Sequence, residues 1–219
     1  MKQDWLLILS VSVFLFSGCK KKQDEPGPIN HINEQARVYP SFQLEKEDTL
    51  SDEEYKVYAD FFSTNVNGAR VINLSQQTNH WNTIPENSYF DTLRKTHGEF
   101  DSTTFANYHT ANNKAYILGN KINLPSAKVV LIPSSEFTHY FSHKDPFGNE
   151  GLEHGQGLYN KYSEGYYSVS RVGFNAGKTE ALISISYSSG QQQGSGLIAL
   201  LKKINGRWVV IHEMNHWLT

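Results

Sequence analysis

Between positions 180 and 188 the chain alternates by parity. Ala181, Ile183, Ile185 and Tyr187 fall on one parity, and Ser184, Ser186 and Ser188 on the other. Successive side chains of a β-strand point to opposite faces. The segment therefore reads as a strand with an apolar face turned to a core and a hydroxyl-bearing face turned out. Segments 166–174, 196–204 and 207–217 read as its neighbours. Asn205-Gly206 separates the last two; it suits the favoured two-residue hairpin turn, whose central positions need positive φ. Asn175-Ala176-Gly177-Lys178 joins the first two. The last third is thus predicted as four consecutive antiparallel strands.

Upstream the period changes. Ser51 and Glu54 have the spacing of a capping box, and Leu50 and Tyr55 that of a hydrophobic staple. Tyr55, Tyr58, Ala59 and Phe62 then recur at helical spacing, one buried face, until Asn67-Gly68 ends the helix. A short strand is expected at 70–74, a loop at 75–89, helices at 89–95 and 103–112, and a strand at 128–132 stopped by Pro133. Ser134-Ser135-Glu136 opens a short helix through Phe141, and 145–157 reads as a glycine-containing loop. Helices that precede a run of strands predict an α+β domain, with N-terminal helices packed on a C-terminal antiparallel sheet of about four or more meandering strands. A cone-shaped NTF2-like arrangement fits that order by analogy.

The first residues follow other rules. Met1-Lys2 is a short basic start, and residues 5–16 are apolar apart from Ser10 and Ser12. That run is shorter than the roughly 20 residues of a spanning helix, and it reads as a signal peptide, 1–18. Phe16-Ser17-Gly18-Cys19 resembles the bacterial lipobox, with Phe16 where leucine is usual. The resemblance implies cleavage before Cys19 and its lipidation. Lys20-Lys21-Lys22-Gln23-Asp24-Glu25, then Pro26, Gly27, Pro28 and Pro40, continue with few apolar residues; residues 19–44 read as the lipidated cysteine and a flexible linker, and 45–219 as one α+β domain. The charged run also resembles signals that route some lipoproteins to the cell surface. The expected location is the bacterial envelope, anchored to the outer membrane on its periplasmic face or at the cell surface.

Cys19 is the only cysteine, so the domain has no disulfide, thiol nucleophile or cysteine-ligated metal. A net charge of −2, with scattered Lys and Arg, gives no electrostatic case for nucleic acid.

Ser170-Arg171-Val172-Gly173-Phe174-Asn175, Gly194-Ser195-Gly196, Leu200-Leu201-Lys202-Lys203, Asn205-Gly206-Arg207-Trp208 and Trp217 together resemble a family of uncharacterised secreted bacterial proteins. The likeness is good over 160–219 and weaker over 50–140. It implies a shared fold and no particular activity.

Several motifs invite a chemical reading. His212-Glu213-Met214-Asn215-His216 matches the zinc-protease pattern H-E-x-x-H, which needs both histidines on one helical face and a third ligand. It continues the β-branched run 208–211. On a strand the two histidines lie roughly 13 Å apart, beyond the reach of one zinc, and Trp217, Leu218 and Thr219 offer no further ligand. Gly173 to Thr179 is one residue short of a phosphate loop and precedes a strand rather than a helix. His139 and His143, with Glu136, Asp145, Glu153 and His154 near them in sequence, allow a metal site or a polar helix face. Arg171, flanked by Ser168 and Ser170, could meet an anionic ligand on the sheet or pair with a carboxylate. Residues 189–196 form a polar turn without nucleophile-elbow spacing.

Two functions are expected from this. The first is a lipid-anchored envelope protein that binds a protein partner or small ligand through its sheet, without catalysis, metal or cofactor, with Ser168, Ser170 and Arg171 as candidate contacts. The alternative is a hydrolase assembled from scattered His, Glu and Ser residues, which needs a histidine within reach of both a carboxylate and a nucleophile.

Overall fold

The computed structural model describes residues 39–66, 68–79, 95, 100–142, 152–190 and 193–218. In chain order its elements are α1 (Asp52–Asn65), β1 (Val71–Ser75), α2 (Ser102–Ala111), β2 (Lys128–Ile132), α3 (Ser134–Ser142), α4 (Leu152–Lys161), β3 (Tyr166–Val169), β4 (Gly173–Phe174), β5 (Glu180–Gly190), β6 (Gln193–Ile204) and β7 (Arg207–Leu218). The predicted signal peptide, Cys19 and most of the predicted linker lie outside the described residues, as does the predicted helix 89–95 apart from Lys95.

The fold is α+β, with one seven-stranded sheet in the order β2-β1-β3-β5-β6-β7 and β4 beside β5. From β3 onward the pairings are antiparallel, in line with the C-terminal meander. The sheet as a whole is mixed, which corrects the expectation of a purely antiparallel one. β1 runs parallel to both β2 and β3. Parallel neighbours need long crossovers; the chain between β1 and β2 passes through α2, and between β2 and β3 through α3 and α4. Ile72 to Ser75 of β1 and Leu131-Ile132 of β2 are buried at consecutive positions, so both faces of these strands are covered there.

Two further expectations are corrected. The predicted strand 166–174 is divided, because Arg171 and Val172 leave the ladder. There the backbone of Arg171 donates to Asn112 Oδ1 at 2.7 Å, while its carbonyl accepts from Asn112 Nδ2 at 3.0 Å. The later part of the predicted loop 145–157 is helical, as the start of α4. Its glycines argue against helix by propensity, but Gly157 sits where α4 meets α3: a β-carbon there would lie 2.7 Å from the Tyr140 ring.

α1 covers one face of the sheet. Its capping box forms, with Ser51 Oγ accepting from the Glu54 N–H and the Glu54 carboxylate accepting from the Ser51 N–H. Tyr58 and Phe62 pack on Ile72, Val169, Ile183 and Leu201. Each such aromatic contributes roughly 1.5–3 kcal/mol when fully buried. The Trp208 backbone N–H donates to Asp60 at 2.8 Å and its indole N–H to Glu53 at 2.7 Å, fixing β7 to α1.

The opposite face is covered at two places. Tyr108 of α2 packs on Leu182, Ile198 and Leu200. Tyr140 of α3 and Leu158 of α4 enclose Ile132, with Phe137 and Tyr166 beside them. The serine row of β5 lies between these clusters.

Candidate functional site

That gap is a cavity of about 490 Å³, within the roughly 300–1,000 Å³ typical of small-ligand sites. Its floor is the outer row of β3 and β5: Tyr166, Ser168 and Ser170 opposite Ser188, Ser186 and Ser184. Pairing sets Tyr166 against Ser188 and Ser168 against Ser186, and the Ser170 N–H donates to the Ser184 carbonyl at 2.9 Å. The row is therefore not the solvent face that its alternation predicts. α2 and α3 turn it into a partly enclosed floor.

The floor groups form three hydroxyl clusters spaced along the strands. At one end Tyr108 reaches Ser170 and Ser184, and Ser170 Oγ accepts from the Ser184 N–H at 2.8 Å. In the middle Ser168 and Ser186 share a hydrogen bond of 2.7 Å. Asn79 Nδ2 donates to both, at 3.0 and 3.2 Å. At the far end Tyr159 and Ser188 share a bond of 2.8 Å, with Tyr166 alongside. Two serine hydroxyls carry two hydrogens. The central pair uses one between its members and accepts from Asn79, so among the described residues one hydroxyl hydrogen is left to donate to a ligand.

Aromatic groups stand at the sides. Phe137 meets Tyr166 edge to face at 5.0 Å between centroids. On the other flank Trp217 of β7 pairs with Gly196 of β6. Its indole lies along β6: a β-carbon at Gly196 would collide with the five-membered ring, and one at Gly194 would fall 2.9 Å from the six-membered ring. The Gly194-Ser195-Gly196 motif is thus a seat for Trp217, a close approach that only residues without a side chain permit.

Every described residue that lines the cavity is uncharged at neutral pH. Burial raises the Tyr108 hydroxyl above its ordinary value. Burial, with the neighbouring Tyr159, pushes the Tyr166 hydroxyl up to about 12. Both tyrosines therefore present O–H groups rather than phenolate.

The candidates named by sequence separate at this point. Ser168 and Ser170 line the cavity. Arg171 does not; its guanidinium lies with α1, where Nε donates to Glu54 Oε1 at 2.5 Å and Nη2 to Oε2 at 3.0 Å, and it stacks 4.2 Å over the Tyr116 ring. Burial works against its charge and the Glu54 bonds outweigh that, so its pKa is raised. Asn79, Ser186 and Trp217 were missed as site residues. The serine alternation signalled Ser186 and the Gly-x-Gly with a later Trp signalled Trp217, while Asn79 carried no signal.

The other motifs resolve locally. Residues 212–216 lie within β7, with His212 opposite Leu200 and Glu213 opposite Ala199. The helical spacing of a zinc protease is not formed; the side chain of His216 lies outside the described residues. In the phosphate-loop look-alike, Asn175 Oδ1 accepts from the N–H groups of Thr179 and Glu180 at 2.8 and 3.1 Å, closing a turn into β5. Of the group around His139, the side chains of His143, Asp145, Glu153 and His154 lie outside the described residues. Glu136 is buried and accepts from Lys161 at 2.6 Å and Tyr162 at 3.2 Å. Among the described residues no three His, Cys, Asp or Glu side chains gather as metal ligands, and no helix is long and apolar enough to cross a membrane.

No protein family, curated protein or solved structure matches this chain.

Proposed function

We propose that this protein is a lipid-anchored component of the bacterial cell envelope that holds a small uncharged ligand in the sheet-face cavity and leaves it chemically unchanged. The supporting observation is the Asn79–Ser168–Ser186 cluster, which has a hydroxyl hydrogen to spare on a concave surface. Such a group is costly to keep dry and gains a bond when a ligand fills the space. Binding is favoured over turnover by the company the serines keep. A serine becomes a nucleophile when a base takes its proton; here the partners are hydroxyls, an amide and backbone groups. A cone-shaped NTF2-like reading of the fold would also put the ligand between sheet and helices.

The anchoring half of the proposal rests on residues 1–19 alone. Each buried CH₂ of an acyl chain contributes about 0.8 kcal/mol, and stable attachment takes more than one chain. Attachment at Cys19 would tether the domain to the outer membrane, at the periplasmic face or the cell surface. Cys19→Ser is expected to remove incorporation of a palmitate analogue and to release the protein from membranes on fractionation. Undiminished label in the variant would refute the anchor. For the cavity, thermal-shift screening of the full chain against uncharged small molecules should give hits that Ser186→Val loses. Hits indifferent to that change would move the site elsewhere.

A further inference from the structure

We infer that the ligand is a neutral carbohydrate of mono- or disaccharide size; the inference rests on the cavity being a ligand site. A sugar ring has a rim of hydroxyls, each donor and acceptor, and flat faces made of C–H bonds. The cavity has both complements side by side. Ser168, Ser186, Gly196 and Trp217 stand opposite one another in a single row across β3, β5, β6 and β7. The first two present hydroxyls backed by the Asn79 amide. The last presents an indole laid along the glycine backbone of β6. The face of an aromatic ring carries negative charge density and attracts polarised C–H groups, while the hydroxyl pair can donate to one sugar oxygen and accept from another. A ring resting on Trp217 would bring its rim to the central cluster, with the clusters around Ser184 and Ser188 about 7 Å away along the strands, one pleat repeat to either side.

Competing chemistries fit less well. An acyl chain would bury the hydroxyl floor without giving it partners, a cost for every group left unpaired. An anion would be drawn to the amino-terminal end of α3, where Ser134 borders the cavity. That end is already occupied: Glu45 accepts from the Ser134 backbone N–H at 3.0 Å and from its hydroxyl. The described lining offers no cation in compensation.

The test is calorimetric titration of the full chain with glucose, galactose, mannose, N-acetylglucosamine, maltose, cellobiose, lactose and chitobiose. Adenine, a capped neutral dipeptide and octanol serve as non-carbohydrate probes. At least one saccharide is expected to bind, with Trp217→Ala and Ser186→Ala each weakening it by about ten-fold and Trp217→Phe restoring much of the loss. Ser186→Ala guards against a Trp217→Ala variant that fails to fold, and thermal melts of both report folding. Binding of adenine, dipeptide or octanol that depends on Trp217 and Ser186, with no saccharide bound, overturns the carbohydrate assignment and leaves the cavity reading standing. Saccharide binding unaffected by either substitution overturns the assignment of this site. No binding by any probe overturns both.

Discussion

Ser186 and Trp217 stand in the same cross-strand row, two strands apart, with Gly196 alone between them. The missing side chain at Gly196 is what lets the indole lie down beside the hydroxyls. Gly196→Val therefore displaces Trp217. Overpacking of this kind costs about 1–3 kcal/mol, and denaturant titration should show a loss in that range. The Trp217 indole N–H resonance should shift with it. A variant of unchanged stability and unchanged indole environment would mean that Trp217 does not use this seat.

Glu54 carries two duties at once. It completes the capping box of α1 and neutralises Arg171 on the sheet, at 4% and 16% side-chain exposure. Breaking a buried pair from one side leaves the other charge stranded, at roughly 3–5 kcal/mol. Glu54→Gln is expected to fall in that range by chemical denaturation. Arg171→Met added to Glu54→Gln should recover part of the loss, since no charge then remains buried. A double variant as unstable as the sum of the two single changes would show that the pair is not coupled.

The hydroxyl floor predicts a response to alkali. Tyr166 has its pKa raised from 10.0 to about 12, by burial first and by Tyr159 second. A raised folded-state value means that the folded protein prefers the neutral hydroxyl. Its contribution is fully present below pH 10 and is lost as pH rises from 10 through about 12. The melting temperature should fall across that window, and Tyr166→Phe should fall less steeply. Equal slopes would assign the alkaline loss to other groups.

Local signals were legible in the chain, and long-range ones were not. The capping box at Ser51 and Glu54 is read within four residues and forms. So does the Asn205-Gly206 turn, with φ of 50° and 79°. The parallel pair β1–β2 depends on a crossover of some fifty residues (76–127), and nothing within either strand specifies its partner. The floor of the cavity is the clearest case. Alternation put Ser184, Ser186 and Ser188 on one face, but whether that face meets water or a cavity is decided by α2 and α3, which lie far away in sequence. Asn79 joins the site from a loop with no pattern at all. Arg171 was legible as a charge in need of a partner, while Glu54, 117 positions earlier, was legible only as a cap.

The chain packs as one unit from Tyr39, and Phe42, which composition alone places in the linker, belongs to the cluster around Tyr140 and Leu158. Its ring lies 5.3 Å from His139 and 6.5 Å from Tyr140, and the Lys161 ammonium stands 5.6 Å above it. Lys161 also donates to the Pro40 carbonyl at 3.4 Å and to the buried Glu136. Removing residues 39–44 thus strips an aromatic cover from the joint of α3 and α4, next to Phe137 at the cavity wall. A half-buried phenylalanine is worth about 1–2 kcal/mol. A chain starting at residue 39 should melt with the chain starting at residue 20, while one starting at residue 45, or the Phe42→Ala variant, should lose that amount. Identical melting of all four would return residues 39–44 to the linker.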